Sequence, residues 1–115
     1  MPTVWIANRS GHNYVDAERY GEVKELTAGT VKWANIDRMA YDLAHLITKQ
    51  VNWEEDYLLI SGAITVNILA VMIWLQHTDK VRILLWVGTP ETRSYVMRTI
   101  DRNQIINLVD EALTG

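Results

Sequence analysis

The sequence predicts an α/β fold. It reads as a single compact Rossmann-like domain over residues 1–115, a mixed sheet of about five strands flanked by helices. Three observations carry this. Val4-Trp5-Ile6-Ala7, Tyr57-Leu58-Leu59-Ile60 and VRILLWV over 81–87 are short apolar runs with the length of buried strands. The longer segments between them repeat their apolar residues at helical spacing. The turn Gly88-Thr89-Pro90-Glu91 is so short that the strands on either side of it must pair antiparallel.

The order along the chain is β-β-α-β-α-β-β-α. After the opening strand, Asn8 to Tyr14 forms a polar loop, and Val15 to Tyr20 suits one helical turn capped by Asn13 or Asp16 and ended by Gly21. Glu22 to Leu26 is a second strand with weak alternation, and Thr27 to Thr30 is a turn. Asn35 is a good N-cap for a helix whose stripe is Ile36, Met39, Ala40, Leu43, Ala44, Ile47 and Val51; His45 falls on its wet side. The polar connection Asn52–Asp56 leads to the central strand, which Ser61-Gly62 breaks. The helix Ala63–Gln76 follows. It is apolar on nearly every side, so it needs cover all round, and a second subunit is the expected source. His77 to Lys80 is a turn before Val81–Val87. Arg93–Ile100 is the last strand, and Asp101 with Gln104 starts a final amphipathic helix in capping-box fashion.

Composition excludes several function classes. Lys plus Arg total 11 and Asp plus Glu total 14, a net charge of -3, which argues against a DNA or RNA duplex as partner. There is no cysteine, so neither a disulfide scaffold nor a thiolate metal site is available. His12, His45 and His77 lie on separate elements without metal-ligand spacing, and no metal or other cofactor is expected. The start Met1-Pro2-Thr3 lacks the features of a secretory signal, and Ala63–Leu75 is too short to span a bilayer. The expected location is cytoplasmic, away from membranes. Seven Arg against four Lys favours phosphate recognition, and five Trp with five Tyr offers stacking surfaces, although such rings also fill small cores and dimer interfaces.

Two loops concentrate the binding groups. The first holds Asn8, Arg9, Ser10, Gly11, His12 and Asn13 directly after a core strand, where open α/β sheets place ligands. A polar turn that only satisfies its own backbone would look the same. The second joins Ser61 and Gly62 to a helix start, whose unpaired N–H groups can hold an anion. Asn67, an amide within an apolar helix, either meets a ligand or satisfies a neighbouring loop. Arg93 and Arg98 flank the last hairpin. The two loops are expected to converge, in one subunit or across a pair, into a cationic cradle for a phosphorylated nucleotide. No nucleophile with an evident activating partner is present, so catalysis is not expected. The competing readings are a small nucleotide-handling hydrolase or transferase using His12, and a structural subunit that binds only protein.

The segments NRSGHNYVDAERYGEV and DYLLISGAITVN, the hairpin ending in RSYVMRTI and the short C-terminal helix together resemble the small phage proteins that defeat Thoeris immunity by sequestering its signal. The resemblance implies a non-enzymatic sponge that binds a cyclic ADP-ribose isomer intact. It further implies a homodimer or hexamer, with cyclic oligonucleotides as additional ligands in some members.

Overall fold

The computed structural model describes residues 1–30 and 35–115. One five-stranded sheet runs through the molecule: β1 (Thr3–Ile6), β2 (Glu22–Glu25), β3 (Tyr57–Leu59), β4 (Lys80–Val87) and β5 (Ser94–Asp101), in spatial order β2-β1-β3-β4-β5. The first four strands are parallel. β5 pairs antiparallel with β4 through the expected hairpin. Among the described residues, three α-helices accompany the sheet: α1 (Ile36–Gln50), α2 (Ile64–His77) and α3 (Arg102–Thr114). A 3-10 helix, Val15–Tyr20, connects β1 to β2. The predicted α/β class, element order and mixed sheet are the ones observed.

Strand alternation divides the core into two layers. Trp5, Ala7, Leu58, Val81 and Ile83 face α1 and α2, where Leu43, Ile47, Val66, Ala70 and Trp74 close over them. Val4, Ile6, Leu59, Leu84 and Tyr95 face the other way, toward Tyr14 and Ala17 of the first loop and 3-10 helix. Asn35 caps α1 by accepting from the Arg38 N–H at 2.9 Å. Asn13, just ahead of the 3-10 helix, accepts from the Val15 N–H at 2.9 Å.

The stripes of α1 and α3 are less buried than their periodicity suggests. Ile36 at the start of α1 is exposed, and on α3 the whole stripe from Ile105 to Leu113 faces solvent. Periodicity shows that a face is apolar and leaves open what covers it. α2 is apolar all round as expected, and its outer residues Ile64, Ile68 and Met72 are also exposed. Among the described residues, no helix is long and apolar enough to cross a membrane.

The N-terminal end of the sheet is fixed by one carboxylate. Buried Asp56 accepts from the Thr3 N–H, the Trp5 indole N–H and the Asn52 N–H, each at 2.9 Å. Asp56→Ala would leave the indole N–H unpaired inside the core. It is expected to lower unfolding free energy by about 3 kcal/mol, measured by urea denaturation.

Candidate functional site at the carboxyl edge of the sheet

The strand order places both sequence-predicted breaks at one point. The chain leaves β1 toward β2 on one side and reaches β3 on the other, so β1 and β3 flank the topological switch point of the sheet. Ligands of open α/β sheets bind outside the carboxyl ends of the strands at such a point. The 8–14 loop follows β1 there, the 60–63 segment follows β3, and the β4–β5 hairpin turns at the same edge.

Asn8 ties these segments together. It is buried, and its amide donates to Thr27 Oγ1 at 2.9 Å and to the Gly29 carbonyl at 3.2 Å. Its Oδ1 accepts from the Ala63 N–H at 3.0 Å. Gly62 sits against it at φ 75°, and a Cβ at that position would lie 2.7 Å from the Asn8 Cβ and closer still to both Asn8 oxygens. Glycine is therefore required by the approach of the Asn8 backbone and side chain. Gly11 has open space around it and no such constraint.

Asn67 plays a similar internal part. Its Oδ1 accepts from the Ser61 N–H at 3.0 Å, and its amide donates to the Ser61 and Ala63 carbonyls at 2.8 and 2.7 Å. The neighbouring-loop alternative thus accounts for all of its polar groups. Asn8 and Asn67 shape the site from behind.

The groups that face the cleft are different. A cavity of about 150 Å³ is lined by His12, Asn13, Ile60, Ser61, Gly62, Trp86 and Tyr95. Trp86 and Tyr95 are opposite partners across the hairpin, with rings 4.7 Å apart, and the indole is exposed. A second depression of about 310 Å³ adjoins it through His12 and Asn13 and is bordered by Arg9, Tyr14 and Glu18. Tyr14 links the two loops: its hydroxyl lies 2.7 Å from Ser61 Oγ and 3.3 Å from Ser10 Oγ, and it accepts from the Ser10 N–H at 3.0 Å.

The electrostatics are milder than the expected cationic cradle. Arg9 borders the site but pairs with Glu25 at 2.8 Å, and its guanidinium sits 5.1 Å from the Tyr14 ring centroid. Arg93 precedes β5 at the same edge without lining the cleft. Arg98 lies mid-strand opposite Ile83, on the helix-bearing face, and donates to the Met97 carbonyl at 2.8 Å. Hydroxyls and amides dominate in place of guanidinium groups. Burial pushes the Tyr14 phenol up, yet hydrogen bonds with Ser10 and Ser61 and the charge of Arg9 outweigh it and hold the phenol below its ordinary value. Burial, with smaller contributions from Tyr14 and Asp16, pushes Tyr95 up to about 12. Behind Ser61-Gly62, α2 begins without a side-chain cap and without an acidic residue in its first turn, so its N-terminal field is not neutralised locally. Among the described residues, no three His, Asp or Glu side chains gather as a metal ion would require.

Sequence reasoning missed Tyr14, Trp86 and Tyr95 as site residues. Tyr14 stands in the loop already singled out. Trp86 and Tyr95 are equidistant from the hairpin's centre, so antiparallel pairing alone would have set the two rings side by side.

With this geometry in view, comparison with known proteins adds one finding. The family described as Phage Pam3 gp32-like protein matches residues 2–101, nearly the whole chain up to the end of β5. The chain belongs to that family. It is thus a member of a phage protein family, and α3 lies beyond the matched region. No curated protein and no solved structure matches.

Two consequences are measurable. Gly62→Ala is expected to cost about 2–4 kcal/mol through the clash with Asn8 and the positive φ, whereas Gly11→Ala stays within about 0.5 kcal/mol of the parent; thermal unfolding compares them. The second concerns alkali. Tyr95 is neutral in both states below pH 10, its ordinary value, and ionises first in the unfolded chain as pH rises toward 12. Its contribution to stability is therefore full below pH 10 and lost across that window. Tyr14, shifted downward, acts with the opposite sign, adding stability as pH rises through its folded value. Tyr95→Phe should flatten the alkaline loss in denaturant titrations, while Tyr14→Phe should steepen it.

Proposed function

We propose that the cleft at the β1–β3 switch point binds a small phosphorylated nucleotide and holds it unaltered. The observation that carries this reading is the pairing of an exposed aromatic platform, Trp86 on Tyr95, with the Ser61-Gly62 start of α2 across the same cleft. A base stacks on indole, and the first-turn N–H groups of α2 beyond Ala63 with nearby hydroxyls can donate to a phosphate. The sizes divide the ligand: about 150 Å³ takes one base and reaches Ser61-Gly62, while the adjoining 310 Å³ takes the sugar and further phosphate beside Arg9, His12 and Asn13. Arg9 would exchange Glu25 for the phosphate. Arg93 and Arg98 would add only longer-range positive potential.

Together with the resemblance to signal-sequestering phage proteins, this makes a cyclic ADP-ribose isomer the preferred occupant, with cyclic oligonucleotides as further ligands. The role is removal of an immune signal in the cytoplasm of an infected bacterium, by a homodimer or a larger assembly. Family membership in a phage group supports that setting. Retention without turnover suits a site whose donors are pre-organised.

A second reading, a nucleotide-handling hydrolase or transferase, has one observation in its favour. The Tyr14 phenol is held below its ordinary value, with the His12 ring 6.3 Å away. One experiment separates the two. The protein is incubated with a cyclic ADP-ribose isomer, freed of excess ligand and heat-denatured, and the supernatant is chromatographed. Intact ligand in the supernatant is the expected result, and Trp86→Ala should weaken binding by about 10-fold or more. A converted product would favour the enzyme. Failure to take up any nucleotide would leave a protein-binding subunit.

A further inference from the structure

Among the described residues, nothing covers α3. Every residue of Arg102–Thr114 is exposed, and Ile105, Ile106, Leu108, Val109 and Leu113 each leave between 48% and 81% of their surface in water. A helix of 13 residues is marginal in water without packing for its apolar face. It is nonetheless fixed at its start: the Arg102 N–H donates to the Asp79 carbonyl at 2.8 Å, and the Arg102 guanidinium donates to the Leu75 carbonyl.

The same chain has an unfilled apolar groove of about 430 Å³ along α2, lined mainly by Ile60, Ile64, Ile68, Val71 and Met72. Ile64, Ile68 and Met72 form a row at every fourth residue, as do Ile105, Val109 and Leu113. Rows of that kind interlock ridge into groove. With 14 and 13 residues, the two helices match in length at about 20 Å.

The surface area gives the scale. The chain exposes 7433 Å². A compact monomer of its mass would expose roughly 6,400 Å². The excess of about 1,000 Å² is close to the roughly 800 Å² per partner that a standard interface buries. The radius of gyration, 14.9 Å, likewise exceeds the roughly 13 Å of a compact chain this long.

We infer that α3 of one copy lies in the α2 groove of a second copy, and the reverse, in a two-fold dimer. A single chain carries both the ridge and the groove, so the exchange closes after two copies and covers both faces at once. A lipid surface suits α3 poorly, because Asp110 and Glu111 outnumber Arg102 on it. Ser61 and Gly62 border both the groove and the polar cleft, so the partner's helix forms one wall of the site. The inference holds whether or not that cleft takes a nucleotide.

The chain has no cysteine, which allows a clean test. An Ile68→Cys chain and a differently tagged Val109→Cys chain are mixed and mildly oxidised. A disulfide-linked heterodimer is expected in preference to either homodimer. Sedimentation equilibrium of the parent should give twice 13.2 kDa, and Val109→Asp should halve it while the sheet core still unfolds in one cooperative urea transition, since Val109 is half exposed in its own chain. A monomeric parent would overturn the inference. So would a Val109→Asp chain that stays dimeric, or Ile68→Cys chains that link mainly to each other.

Discussion

The Asn8 amide is the constraint on which the site depends. Its two N–H groups hold the turn after β2, and its oxygen holds the start of α2. Three stretches far apart in sequence are thereby fixed around one buried side chain. A buried amide with any of these bonds missing costs about 1–3 kcal/mol, so the arrangement is close to all-or-none. Gly62 follows from it, because no side chain fits where the two segments meet. Ser61 then stands within reach of Tyr14, and the two loops share one hydroxyl cluster. Asn67 completes the device from inside α2 by engaging the backbone on both sides of Gly62.

What faces outward from this frame is rich in hydroxyls and aromatic rings and poor in free cations. That fits a chain with a net charge of -3, in which a small anion must be drawn by local dipoles. Under the proposed reading, a site of this character would select by shape and stacking more than by long-range attraction. Arg9 adds a charge that is already engaged, so any anion there competes with Glu25. The Tyr14 phenol shows the balance: hydrogen bonds outweigh the desolvation that would otherwise keep its proton in place.

Much of the architecture was legible in the sequence because it is local. Apolar runs bounded by polar breaks marked three strands, Asn35 and Asp101 marked two helix starts, and Gly88 to Glu91 marked the hairpin and the strand after it. The convergence of Gly62 with the first loop was also foreseeable, since parallel strands carry their exits to one edge. The partners of individual side chains were not legible. Asn8 reads in the sequence as a ligand group and Asn67 as meeting either a ligand or a neighbouring loop; the bonds of both close within the chain, and only the three-dimensional approach of the 27–29 and 61–63 segments shows it. Arg98 was placed near the hairpin by sequence distance, whereas alternation along β5 turns it to the other face of the sheet. Trp86 and Tyr95 were not told apart from the other Trp and Tyr residues, because a ring's exposure depends on what lies above it. The α3 stripe marked a helix correctly while concealing that none of the described residues lies over it.

The two margins of the sheet bear on how copies avoid one another. β2, at one margin, is only four residues long and carries Glu22, Lys24 and Glu25; β5, at the other, places Arg98 and Thr99 in solvent and runs straight into α3. A short, charged border strand such as β2 is a poor template for a further strand, and on eight-residue β5 the exposed Arg98 and the helix rising from one end obstruct a newcomer. Ribbon-like growth through backbone ladders is therefore blocked on both sides. A crowded population of this chain should resist fibrillation even though nearly half of its residues are hydrophobic.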